Sequence, residues 1–287
     1  MKSLLYLSAA LLFFTACEKV ITMDVAEGKQ QLVVDGFLTN EAGAQKIKLS
    51  VSQPYFDNSS ITGATGATVK VISSANDTFL FSDNNNGEYT WTPVGNDTLC
   101  KIGLTYTLHV SYKGSSYESS TDVHPVPAVD SITFSKGGSF GPPSANSTYS
   151  AQFFAKDSAG QDDYCWIKYY RNDTLFSTAS DILVVVNGAL NAPGADGFEF
   201  IVPVRYGINN FSKPYHLGDS VKVEILSITE ETWQFFNEAQ TQMTNGGLFA
   251  TPPANVRTNI KKTSGDGISA IGWFSTSALL RRTETVK

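Results

Sequence analysis

The sequence predicts a mainly β protein built as two units in series, with one α-helix in the second. Three observations carry this. Apolar and polar residues alternate with period two through several short runs, as in Lys46 to Ser52, where Ile47, Leu49 and Val51 face one way and Lys48 and Ser50 the other. Gly, Asn, Asp and Pro separate these runs at the spacing of a sandwich. Finally, His124-Pro125-Val126-Pro127 interrupts the series, because two prolines bracketing one residue stiffen the backbone in an extended form.

The chain opens with a charged start at Lys2 and an apolar run from Leu4 to Phe14. That run is too short for a membrane-crossing helix, which needs about 20 apolar residues. Phe14-Thr15-Ala16-Cys17 then sets small residues before a cysteine. The order reads as a secretory signal peptide over residues 1–16. Cys17 at the cut points to a bacterial lipoprotein lipidated there. Phe14 is a loose fit where leucine is usual, and a plain secreted protein cleaved nearby without lipid is the alternative. Residues 17–29 form a polar tether.

Strands follow in Gln31 to Thr39, Lys46 to Ser52, Ala67 to Ile72, Thr78 to Ser82, Glu88 to Val94 and the long stretch Leu104 to Thr121. Lys113-Gly114 divides the last of these as a hairpin turn. Around seven strands in about 95 residues argue an immunoglobulin-like β-sandwich over residues 30–124. Asp83-Asn84-Asn85-Asn86-Gly87-Glu88 superficially suggests a calcium loop. Its glycine falls at the fifth position, where an EF-hand loop needs it at the sixth, so it reads as a turn.

Residues 125–130 are assigned as the linker, and 131–287 as a second β-rich unit. Its strands are expected at 130–135, 149–155, 163–171, 182–187, 198–206, 220–228 and 267–277. Both faces of Asp163 to Arg171 are apolar or aromatic, which marks a central strand covered on each side. One helix is expected over 229–244: Thr229 can cap it, Glu230 and Glu231 suit its N-terminal dipole, and Trp233, Phe236, Ala239 and Met243 form a stripe. Asn245-Gly246-Gly247 supplies left-handed residues to stop it. An irregular segment, Leu248 to Lys262, follows.

The net charge is −6, which leaves no basic footprint for nucleic acid. The three histidines are scattered and no Cys-x-x-Cys or His-x-x-x-His pair occurs, so no zinc site of neighbouring ligands is expected. Neither a Gly-x-Ser-x-Gly elbow nor a phosphate-binding glycine loop is present. No catalytic residues and no cofactor are therefore assigned. Cys100 and Cys165 fall in different units and read as buried thiols, with a disulfide as the alternative. Asn76-Asp77-Thr78, Asn96-Asp97-Thr98 and Asn172-Asp173-Thr174 read as turns opening strands, or as O-glycan acceptors.

Several blocks in order resemble a known family. Gln31 to Asn40, Gln53 to Asp57, Thr65 to Val71, Gly87 to Tyr89, Gly103 to Leu108, and Pro125 to Pro127 with Val129 to Ile132 match its first unit and junction. Thr229 to Met243, Gly246 to Pro253 and Asn255-Val256 match its closing helix and loop. On these the chain is similar to the family catalogued as domain of unknown function 4249, lipoproteins of Bacteroidetes, over nearly all of the mature chain. The resemblance implies an outer-membrane lipoprotein, often encoded beside a TonB-dependent receptor, with no established activity. Only Cys17 carries over as a site. Glu18-Lys19-Val20 departs from the acidic cluster that sends such proteins to the outer surface, so the membrane face stays open.

The expected function is thus a non-catalytic binding or accessory component, partnering a TonB-dependent transporter in nutrient uptake and held to the membrane by lipid on Cys17. A stand-alone glycan- or surface-binding module and an envelope hydrolase with a dispersed site are the alternatives. The candidate contact loop is Leu248, Phe249, Pro252, Pro253, Arg257, Lys261 and Lys262, stiff at its prolines and cationic beyond them. A lid that merely covers the sheet is its alternative role.

Overall fold

The computed structural model describes residues 28–287 apart from 55, 56, 58, 96, 138–147, 161, 191–195, 247–249 and 253. The expected signal peptide, Cys17 and nearly all of the tether lie outside the described residues.

The described chain is mainly β. Its first body begins with β1 (Gln31–Thr39), β2 (Gln45–Val51), β3 (Thr62–Gly63), β4 (Thr68–Ser73), β5 (Thr78–Asp83), β6 (Glu88–Trp91), β7 (Thr105–Tyr112) and β8 (Ser115–Asp122). Alternation assigns the faces: Ile47, Leu49 and Val51 are buried while Lys46 and Lys48 are exposed. Lys113 and Gly114 both take positive φ, 46° and 78°, which gives the tight turn whose twist suits a hairpin. In the turn between β5 and β6, Asp83 Oδ1 accepts from the Asn85 amide at 2.7 Å, and Gly87 sits at φ 86°. Strand β5 pairs with β4 through Thr78 to Phe81 and with β6 through Ser82 and Asp83. It thereby joins what would be two layers into one continuous sheet.

The second body contains β9 (Val129–Lys136), β10 (Thr148–Ala155), β11 (Tyr164–Arg171), β12 (Thr174–Leu175), β13 (Leu183–Val186), β14 (Tyr215–His216) and β15 (Ser220–Ile228). β9, β10 and β14 form a three-stranded sheet, and β11, β12, β13 and β15 belong to a five-stranded one. Phe153, Ile167, Val185, Val223 and Ile225 fill the core of this body. The segment 125–130 is not a free spacer, because Val126 packs against both cores and β9 already begins at Val129. A strand was expected over 198–206, yet Val202–Tyr206 is a short helix, α1, with a proline in its first turn. Proline has no amide hydrogen to lose there and its fixed φ suits a helix start.

Helix α2 (Glu230–Met243) is capped as expected, with Thr229 Oγ1 accepting from the Thr232 amide. Phe236 is buried, but Met243 is 62% exposed and does not belong to the packed stripe. The helix ends through Thr244 in right-handed backbone, and Asn245 is absent from the positive-φ residues. Asn245 instead bonds both the carbonyl and the amide of Thr251 with its side chain. Phe236 packs between Phe37 of β1 and Trp166 of β11, its ring tilted against both, with ring centroids 5.4 and 4.5 Å away. Phe235 stacks on Trp273 at 4.6 Å. The outward face of β11 is covered by this helix, as its two apolar faces require.

The C-terminal strands depart most from the serial arrangement. Residues 261–277, assigned to the second unit, complete the first: β16 (Lys261–Ser264) pairs with β8, and β17 (Ser269–Ser277) pairs in parallel with β1. The ten-stranded sheet so formed nearly closes on itself, with the Tyr117 hydroxyl donating to the Ile268 carbonyl at 2.6 Å. Nor is β17 the last strand. After Ala278 the chain continues as β18 (Leu279–Thr285), which pairs with β15 in the five-stranded sheet. One extended segment therefore runs through both bodies. Its crossing point, fully buried Ala278, exchanges two hydrogen bonds with Ser227, while the Asn40 side chain accepts from the Leu279 amide.

Candidate functional site

A cavity of about 720 Å³ opens where β11 ends. Asn172 and Asp173, at φ 50° and 60°, turn the chain from β11 into β12. The segment beyond β12 folds over Tyr169 and makes a single 3₁₀ turn at Ala179–Asp181. Thr178 and Asp181 close that turn reciprocally, as a capping box does. The opposite wall is the loop from Gly207 to Lys213 that follows α1.

Asp181 is the buried centre. Its Oδ1 accepts from the Tyr169 hydroxyl at 2.6 Å and from Asn210 Nδ2 at 3.2 Å. Its Oδ2 accepts from the Thr178 amide at 2.9 Å and the Thr178 hydroxyl at 2.6 Å. Burial pushes this carboxyl up, but the hydrogen bonds from Thr178, Tyr169 and Asn210 outweigh it and hold the acid below its ordinary value. Burial, and then the bond to Asp181, raise the Tyr169 phenol. Such a carboxylate has its lone pairs committed. It fixes the shape of the cavity floor and is a poor proton acceptor.

The rim has a different character. Phe211 is 81% exposed, and Leu175, which also lines the cavity, is exposed too. Arg171 gives one guanidinium hydrogen to the Pro214 carbonyl at 2.9 Å. Among the described residues neither Arg171 nor Lys213 has a carboxylate within 4 Å, since no ion pair includes them.

The sequence-assigned contact loop is placed only in part. Leu248, Phe249 and Pro253 lie outside the described residues, and Pro252 is exposed. Arg257 is drawn onto α2, where its amide and Nε bond Glu238 at 3.0 and 2.8 Å. Lys261 and Lys262 belong to β16, with Lys262 Nζ donating to the Gly267 carbonyl at 3.0 Å. The cations thus sit on two elements, and the Arg257 charge is neutralised within the molecule. The Asp181 cavity was not identified from sequence, because its lining comes from three separated segments. The one local signal was Thr178-x-x-Asp181, a capping pattern with no helix of ordinary length behind it.

A second carboxylate cluster is structural. Asp157 is buried, accepts from the Gly197 amide at 3.2 Å through Oδ2, and lies against the Asp163 carboxyl. Burial, with the charges of Asp163 and Asp196 added, pushes its carboxyl up to about 6. The folded chain therefore holds a proton here that the unfolded chain releases near 4. Stability from this group is full below pH 4 and is lost as pH rises through 6. Asp157→Asn is expected to flatten that dependence, so that the variant gains on the parent protein between pH 4.5 and 8. Urea midpoints at the two pH values measure it, and parallel curves would refute the assignment. Among the described residues no group of three or more His, Cys, Asp or Glu side chains could hold a metal ion.

Fold and site together define a mainly β protein of two strand-built bodies sharing one crossing segment, with a ligand-sized cavity floored by a structural carboxylate. Residues 18–283 match the family described as Domain of unknown function (DUF4249), and the chain belongs to that family. No curated protein matches the sequence.

Proposed function

We propose that the protein is a non-catalytic binding component of the outer membrane, anchored by lipid on Cys17 and accessory to a TonB-dependent transporter in nutrient uptake. The observation that carries the binding reading is the Asp181 cavity, because its size is that of small-ligand sites and its buried carboxylate is spent on four hydrogen bonds. The anchor rests on the order Phe14-Thr15-Ala16-Cys17 behind an apolar run. In the same reading residues 30–124 are an immunoglobulin-like sandwich whose layers join through β5.

Cys17→Ser in the native host is expected to move the protein from the membrane to the soluble fraction, with loss of the N-terminal acyl mass. Unchanged fractionation would sink the anchor. Affinity capture from detergent-solubilised native membranes is expected to recover a transporter, and clean recovery of the chain without one would count against the accessory role. A stand-alone glycan-binding module is the second reading, favoured by Phe211 standing exposed at the cavity rim. Direct binding to a polysaccharide panel in the absence of any partner separates the two.

A further inference from the structure

The rim of the Asp181 cavity names a chemistry that its floor does not. Among the described lining residues Asp181 is the only carboxylate, and its acceptor sites are already filled. Two cations face the same space without a carboxylate of their own. Arg171 is half-buried and spends one donor on Pro214, so the rest of its fork remains available. A guanidinium fork suits a planar carboxylate, and a mobile ammonium such as Lys213 adds charge without fixed geometry.

Apolar and hydroxyl groups complete the lining. Phe211 presents a ring that is 81% exposed, an unusual position for a side chain of that size. Thr174, Ser177 and Ser180 add hydroxyls along the other wall. A ligand that has a flat apolar face, many hydroxyls and an anionic group would engage all three kinds of contact at once. A volume of about 720 Å³ admits a short oligomer of such a ligand.

From this juxtaposition we infer that the cavity binds a carboxylate-bearing saccharide, with its acid on Arg171 and Lys213 and a sugar ring against Phe211. The inference rests on the binding reading above and specifies the ligand of the same site. Asp181, Tyr169 and Asn210 act as positioning residues, since their hydrogen bonds tie the two walls together at a fixed spacing. Asp219 is a carboxylate near Arg171, and it is held by Asn172 at 2.7 Å and by the His216 amide at 2.8 Å. Its charge acts on Arg171 from a distance, but no ion pair within 4 Å joins the two, so it leaves the guanidinium fork open.

Isothermal titration of the full-length chain in detergent tests this with trigalacturonate, cellotriose and a sulfated trisaccharide. Trigalacturonate is expected to bind about tenfold or more tighter than cellotriose, the effect of one charge-assisted hydrogen bond. Its affinity should fall as salt rises. Phe211→Ala and Lys213→Ala change exposed side chains and should leave the melting temperature unchanged while weakening trigalacturonate several-fold. Equal binding of the neutral and acidic sugars would overturn the inference, as would preference for the sulfated one or indifference to both variants. If no saccharide binds while a transporter is still captured from native membranes, the ligand assignment falls and the accessory role stands. If the transporter is also missing, both fall.

Discussion

Gly272→Ala is expected to destabilise the protein by at least about 3 kcal/mol, the range of changes that break a special backbone position. Gly272 lies in the middle of β17 at φ 102°, opposite Val34 of β1. A Cβ there would stand 2.0 Å from the Val34 carbonyl oxygen and 2.8 Å from its amide nitrogen. Both are main-chain atoms in a ladder that runs from Gln31↔Ser269 to Thr39↔Ser277, so neither can move aside without breaking the pairing. The left-handed backbone alone costs about 1–2 kcal/mol for a residue with a Cβ. β17 continues into β18, so damage to it reaches both bodies. The change should appear as a lower urea midpoint for every probe. A shift below about 1 kcal/mol would show that the parallel pairing is not what holds the first sheet.

Phe236→Ala should cost about 3–5 kcal/mol, as truncation of a buried aromatic does. Its ring is the centre of a cluster with Phe37, Trp166 and Phe235, in which β1, β11 and α2 meet. Losing it removes contacts between bodies as well as within one. Urea unfolding is therefore expected to separate into two transitions where the parent protein shows one, because each body has its own core. Met243→Ala in the same helix serves as the control. At 62% exposure it should change stability by no more than about 0.5 kcal/mol. Equal effects at the two positions would mean that the helix does not join the bodies through its Phe236 face.

Much of the local structure was legible in the chain. The alternation at Ile47, Leu49 and Val51 named the buried face of β2. Thr229 announced the start of α2, and Lys113-Gly114 announced a hairpin. These signals work because they depend on neighbouring residues and on backbone angles that few side chains tolerate. Phe198 to Tyr206 misled because its apolar content fits either period, and Pro203 decided for a helical turn. The candidate site was much less legible. Tyr169, Asp181 and Asn210 meet only because β11, the 3₁₀ turn and the loop after α1 converge.

The chain by itself determined which side of strands such as β2 turns inward, where most turns fall and where helix α2 begins. Only the tertiary structure decided which strands lie side by side: β17 joins β1 across more than two hundred residues, and β18 passes into the other sheet directly after it. The physical reason is that alternation specifies burial on a face, while the hydrogen-bonding edges of a strand are main chain and carry no record of their partner.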